Sequence, residues 1–147
     1  MGGVFLGEYQ HSLDEKGRVV LPSKFRDELK DGCVITKGQE RCLYVFPMEQ
    51  WGHEVERVRS LPRTNRRNRN FARAFFAGAA EVTPDRNGRI AIPPGLREYA
   101  ELDKDVAVVG VAERIEIWSV PVWEQISAEA DDSYADIAET LAAEEGI

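Results

Sequence analysis

Asp14-Glu15-Lys16-Gly17-Arg18-Val19-Val20-Leu21-Pro22 returns in the second half of the chain as Asp85-Arg86-Asn87-Gly88-Arg89-Ile90-Ala91-Ile92-Pro93. Asp, Gly, Arg and Pro keep their places, and positions 19/90 and 21/92 stay apolar. The chain of 147 residues therefore reads as two copies of one unit, which predicts how it folds and how it presents basic side chains in pairs. Within each copy Asp and Gly specify a turn: the carboxylate can cap backbone N–H groups two or three residues on, and Gly supplies a positive φ. The apolar run after the arginine reads as a strand, stopped by a proline that cannot donate to a ladder.

Outward from this stretch the two copies repeat element by element. A strand over residues 5–13 precedes the first turn. Phe25 and Leu29, four apart, predict a short amphipathic helix after Pro22, ended at Asp31-Gly32. Residues 33–36 and 43–46 then form a hairpin, and Pro47 opens a helix with Trp51 as its apolar anchor. The second copy has residues 79–82, the turn at Asp85, the strand 89–92 and a helix opened by Pro93-Pro94. Its hairpin spans 106–109 and 115–118, and Pro121 precedes Trp123. Trp51 and Trp123 keep the offset of the turns to within a single position. Between the copies residues 52–78 have helical periodicity, broken at Leu61-Pro62. The units are residues 5–54, basic connecting helices 55–78, residues 79–126 and an acidic tail or helix 127–147. Each copy alone is too small for a secure core, so the halves are expected to pack on each other.

The net charge of −7 argues against a polyanion-binding surface until it is divided along the chain. Residues 124–147 hold eight acids and no base, which leaves 18 acids against 19 bases in residues 1–123. Residues 57–73 hold seven arginines and no acid. The body is close to neutral, with a basic connector and an acidic tail, and this asymmetry constrains partners more than the total does. No segment approaches the ~20 apolar residues of a membrane helix. Residues 1–8 lack the basic flank and apolar run of an export signal. Two cysteines, Cys33 and Cys42, are too few for a disulfide scaffold, so a cytoplasmic location is expected.

Lys16 and Arg18, and Arg86 and Arg89, sit on or beside the tight turns, where the backbone rather than a loose loop holds them. An arginine so fixed can approach phosphates or give the bidentate contact that guanine edges accept. The alternative is structural: each Asp pairs with the Arg four residues on and stiffens the turn without a ligand. The connector arginines likewise read either as a phosphate-tracking surface or as a solvated face. They could also pair with the acidic tail of the same or a neighbouring subunit. An enzyme is not expected. His11 and His53 are the only histidines, no spacing resembles a metal site, and no glycine loop cradles a phosphate. Asp14 and Asp85 as a catalytic pair would need hydroxyl rather than basic neighbours. The tryptophans read as core anchors, the two thiols as buried, and no cofactor or metal is expected.

The doubled Asp-x-x-Gly-Arg-x-x-x-Pro stretch, each copy followed by an apolar and basic helix, resembles the signature of the MraZ family of bacterial transcriptional regulators, built from two AbrB-like units. The resemblance covers residues 5–123. It implies an α+β, mainly β fold: an internally duplicated swapped-hairpin β-barrel with flanking helices. It also implies a ring-shaped homo-oligomer that binds double-stranded DNA at tandem promoter repeats of the division and cell-wall gene cluster, usually as a repressor, at the nucleoid. Carried onto this sequence, the DNA-reading position is Arg18, with Lys16 and Lys24 beside it. Arg89 and Arg86 correspond in the second copy, where Asn87 replaces Lys16. Asp14, Gly17, Asp85 and Gly88 structure the turns. A different class, an antitoxin-like or structural interaction module presenting the acidic tail to a protein partner, would use the same frame.

Overall fold

The computed structural model describes residues 3–145, so Gly146 and Ile147 of the tail, and Met1 and Gly2, lie outside the described residues. The elements follow the order read from the sequence. β1 (Glu8–Ser12), β2 (Arg18–Val20), α1 (Ser23–Leu29), β3 (Cys33–Lys37) and β4 (Leu43–Pro47) form the first series. α2 (Met48–Arg59) and α3 (Arg66–Ala77) connect them to the second. There β5 (Ala80–Val82), β6 (Arg89–Ala91), α4 (Pro94–Tyr99), β7 (Asp105–Val111) and β8 (Arg114–Ser119) lead into α5 (Val120–Glu145). The Leu61-Pro62 break falls between α2 and α3. α3 then starts on Asn65, whose side chain accepts from the N–H groups of Arg67 and Asn68.

Six strands make one antiparallel sheet in the order β1-β7-β8-β4-β3-β5, and β2 and β6 make a separate two-stranded ribbon. The first strand of each series pairs with the hairpin of the other: β1 runs beside β7, and β5 beside β3. The fold is thus mixed α+β around a mainly antiparallel sheet. The closed barrel implied by the resemblance is not formed. The sheet keeps two open edges, β1 and β5, and among the described residues the ribbon is bridged toward it at Leu13–Val19, just past the end of β1. The reason is length. β2, β5 and β6 have three residues each, and prolines 22 and 93 follow the ribbon strands closely, so the ladders stop before they can close the sheet.

Period-two alternation divides the sheet into two buried faces. Cys33, Ile35, Leu43, Val45, Val106, Val108, Ile115 and Ile117 pack against Val19, Leu21, Ile90 and Ile92 of the ribbon segments and against Phe25, Leu29, Leu96 and Ala100 of α1 and α4. Phe25 meets Phe5 and Tyr9 edge-on at centroid separations of 5.2 and 5.4 Å. The other face is covered by helices. Phe46 packs with Trp51 and Val58 of α2 and with Phe75 and Phe76 of α3, while Ala107, Val109 and Trp118 pack with Val122, Trp123 and Ile126 of α5. Removing a side chain such as Ile90 or Ile117 from this double layer would cost about 2–5 kcal/mol.

Two features depart from a purely apolar reading of the hairpins. Glu116 is buried in β8, where Arg114 Nη2 donates to its Oε2 at 2.8 Å and Trp118 Nε1 to its Oε1 at 3.0 Å. Both oxygens have partners, which is what makes a buried carboxylate tolerable. Thr36 is also buried and donates to Phe75 O at 2.6 Å, tying α3 to the sheet. Both cysteines are buried and unbridged. Burial pushes the Cys33 thiol up to about 12, so it stays protonated and inert at neutral pH.

Candidate nucleic-acid interface

The ribbon brings the two repeated turns onto one surface. In the first turn Asp14 Oδ1 accepts from the N–H groups of Lys16 and Arg18, both at 2.9 Å, and Oδ2 accepts from Arg18 Nε at 2.7 Å. In the second, Asp85 Oδ1 accepts from Asn87 and Arg89, both at 2.9 Å, and Oδ2 from Arg89 Nε at 2.8 Å. One carboxylate thus closes the turn and fixes the following guanidinium. In both aspartates the N–H of the arginine four residues on is the largest cause holding the carboxyl below the usual range, with the guanidinium adding to it. Gly17 and Gly88 take φ of 74° and 75°, the left-handed region that favours glycine.

β2 and β6 run antiparallel with Arg18 opposite Ala91 and Val20 opposite Arg89. Val19 and Ile90 point into the core, so alternation places Arg18 and Arg89 together on the opposite, outward face. Arg89 Nη1 lies 3.9 Å from Asp14 Oδ2, which connects the two turns. Because Asp engages the Nε edge of each guanidinium, the plane is held and the Nη groups of Arg18 have no hydrogen-bond partner among the described residues. The pairing with Asp and the outward presentation of the arginine are compatible: the first fixes what the second offers.

Lys16 and Arg86 are exposed at the turn tips. Lys24 is exposed in the first turn of α1, but the strand end that leads to it meets the second turn rather than the first, since Leu21 N–H donates to Gly88 O at 2.8 Å. The mirrored bond runs from Ile92 N–H to Gly17 O at 2.9 Å. Each glycine is therefore clamped by the other series. An open cleft beside the first turn gathers Lys16, Arg18, Arg89, Arg97 and Lys104 against Asp14, Glu15 and Asp103.

Two arginines outside the repeated nine-residue stretch complete the arrangement. Arg97 Nε donates to Ile92 O at 3.0 Å, and its guanidinium covers Gly17, where a Cβ would come within 2.6 Å of Arg97 Cζ. Arg26 Nε donates to Leu21 O, also at 3.0 Å, and covers Gly88, where a Cβ would come within 2.7 Å of its Cζ. Each helix thus lays an arginine on the opposite turn. Arg26 and Arg97 are separated by the same offset as Asp14 and Asp85, so extending the repeat into the helices would have found them.

The connector arginines make their contacts apart from this surface. Arg57 and Arg59 pair with Glu54 and Glu56 of their own helix. Arg69 donates to Arg63 O and Arg73 to Asn70. No ion pair joins α3 to α5 among the described residues. No described helix is long and apolar enough to cross a membrane, and no three His, Cys, Asp or Glu side chains gather as a metal site among the described residues.

Comparison with known proteins agrees with the doubled pattern. A family model described as "MraZ protein, putative antitoxin-like" matches twice, over residues 4–74 and 75–144. A protein of Salinispora tropica named transcriptional regulator MraZ is 52% identical over 136 residues, covering 92% of this chain and 96% of its own. Proteins of the same name from Moorella thermoacetica and Carboxydothermus hydrogenoformans are 50% and 48% identical, each over 138 residues covering 94% of this chain and 96% of theirs.

Proposed function

The chain belongs to the MraZ family, and on that premise we propose that it is a sequence-specific DNA-binding transcriptional regulator. It acts in the cytoplasm at the nucleoid, binds tandem repeats in the promoter of the division and cell-wall gene cluster as a homo-oligomeric ring, and represses that cluster. Residues 5–54 and 79–126 act as two AbrB-like swapped-hairpin units, a reading supported by the pairing of β1 with β7 and β5 with β3 across the two series. The relatives' name supplies the regulator. The observation that carries the mode of action is the ribbon, with Arg18 and Arg89 on one outward face, each fixed by its own aspartate.

In this mechanism Arg18 enters the major groove with its Nη groups free for a base edge, and Lys16, Lys24 and Arg86 meet phosphates. Arg89 contributes from the second turn, where Asn87 stands in the place of Lys16 and the tip cation is Arg86, one position earlier. A single turn pair contributes little, and affinity arises because a ring of subunits meets repeats at matching spacing. The test is a salt-titrated binding assay on the gene's own upstream promoter. Arg18→Ala is expected to lower affinity for the repeats at least tenfold while leaving the oligomer intact. Wild-type affinity in that variant would remove Arg18 from the interface. A chain that ignores the repeats but holds a basic protein partner through its tail would return the antitoxin-like reading.

A further inference from the structure

Lys104 lines the cleft beside the first turn, although it lies outside both repeated stretches. The backbone fixes its place. Leu102 N–H donates to Arg97 O at 2.9 Å, which folds the chain back over the end of α4. Leu13 N–H, one residue before Asp14, donates to Lys104 O at 2.7 Å. The side chain has no such duty: it is exposed, and its ammonium makes no ion pair among the described residues. In the same cleft Arg97 donates its Nε–H to Ile92 O and lies over Gly17, while its Nη groups have no hydrogen-bond partner among the described residues. Lys16 adds a third cation, and the acids not already held by an arginine are Glu15 and Asp103. An excess of cations beside an arginine aimed at a base edge suits a backbone phosphate.

The second turn is built differently on this flank. Val82 follows His11 by the offset of the two turns, and His11 pairs with Val106 while Val82 pairs with Cys33. Cys33 is therefore the counterpart of Val106, and Asp31 that of Lys104. The residue before Asp85 is Pro84, which has no N–H to tie this loop as Leu13 does. The helix flank shows the reverse exchange: Lys24 stands in the first turn of α1, and Gly95 in the corresponding place of α4. α1 lies over the second turn, since Arg26 covers Gly88. The first turn thus has its lateral cation on the loop flank, and the second on the helix flank.

We infer that the Lys104 ammonium, with the Nη groups of Arg97 beside it, holds a DNA backbone phosphate at the flank of the first turn. Asp31 closes the matching flank of the second turn to phosphate, and Lys24 serves that turn from its other flank. In its frame alone the ribbon is close to two-fold symmetric and could lie on a duplex either way round. The unequal flanks fix one direction. This rests on the DNA-reading part of the proposed function and not on the ring.

The test uses the full chain and a promoter duplex in which one chosen phosphate of every repeat is replaced by an uncharged methylphosphonate, moved along both strands in turn. On the unmodified duplex, Lys104→Ala is expected to weaken binding about fivefold per bound subunit and to lower the salt slope by about one phosphate contact. Lys104→Arg, which keeps the charge, should stay near wild type. The positional readout carries the most weight. A methylphosphonate that weakens wild type should have no further effect on Lys104→Ala or Arg97→Ala, and a different one should lose its effect in Lys24→Ala. If Lys104→Ala binds more weakly yet still senses every phosphate that wild type senses, the inference is overturned, since a folding change or a general loss of charge gives that result. Wild-type affinity in Lys104→Ala overturns it as well. If both lysine substitutions silence the same phosphates, the ribbon lies both ways round and the inferred direction is lost. Arg18→Ala separates the two readings. If it weakens binding while Lys104→Ala does not, only this inference fails; if neither does, the ribbon is not the reading surface and the proposed function fails too.

Discussion

The two turns of the ribbon have matching frames, with aspartate hydrogen bonds of 2.9, 2.9 and 2.7 Å in the first and 2.9, 2.9 and 2.8 Å in the second. Their glycines share one backbone conformation as well, yet the turns have few of the side chains a ligand would meet in common. The first has Glu15 and Lys16 at its tip, the second Arg86 and Asn87. Residues 14–24 hold three bases against two acids, residues 85–95 two bases against one acid, so net charge does not separate them. What separates them is placement. The frame is set by Asp, Gly and Arg, the groups that bond to backbone or to one another. The positions between are free of that duty, and they are where the two turns differ. Symmetry of the backbone is therefore no argument for symmetry of function.

The comparison breaks first if the frame itself is unequal. Gly17→Val and Gly88→Val each place a branched side chain at positive φ against the arginine of the opposite helix. Each is expected to cost about 2–3 kcal/mol, a fall of roughly 5–10 °C in Tm for a chain of this size. Calorimetry should give the two the same loss to within about 1 kcal/mol, and a loss confined to one would show that the second glycine clamp does not bear on stability.

A smaller effect sharpens the crossed arrangement. Arg26→Ala and Arg97→Ala each remove a hydrogen bond to a strand-end carbonyl and are expected to cost about 1 kcal/mol. Denaturant titration of a double-mutant cycle is the discriminating measurement. Gly17→Ala should be less damaging once Arg97 is gone and unchanged once Arg26 is gone, with the reverse for Gly88→Ala. Additive behaviour in both cycles would dissolve the claim that each helix supports the opposite turn.

The smallest effect lies in acid. Asp14 and Asp85 have folded pKa values below the unfolded one. Their contribution is therefore present above the unfolded value near 4 and is lost as pH falls through the lowered one. Tm measured from pH 6 down to 2.5 should fall less steeply below about pH 4 in Asp14→Asn and in Asp85→Asn. The change should be similar for the two, and an acid limb identical to wild type would mean that neither carboxylate is held in solution as it is in the ribbon.

Much of this was legible in the sequence because the determinants are local. The turns, the proline stops, the order of strands and helices and the Leu61-Pro62 break depend on residues within a few positions of one another. The pairing of Asp with Arg four residues on was one of two readings of the turn, and the structure shows that it coexists with an outward guanidinium. What depended on contacts between distant residues was less visible. The register of β2 on β6, the crossing of Arg26 and Arg97 onto the opposite turns, and the buried Glu116 held by Arg114 and Trp118 require the folded chain. The open sheet replaced the expected barrel because three-residue strands cannot extend a ladder far enough to close it. The tail, read as an acidic tail or helix of its own from residue 127, continues the helix that starts at Val120, because nothing between Trp123 and Glu145 breaks helical periodicity.

The central claim, one frame with unequal chemistry, is tested most directly by exchanging the tips. Promoter affinity across a salt series should be measured for wild type, Lys16→Asn, Asn87→Lys, Arg18→Ala and Arg89→Ala. The account predicts a loss of at least tenfold for Arg18→Ala and a smaller one for Arg89→Ala. It also predicts a shallower salt dependence for Lys16→Asn and a steeper one for Asn87→Lys. Equal losses for the two arginines, with no response to either exchange at residues 16 and 87, would contradict it.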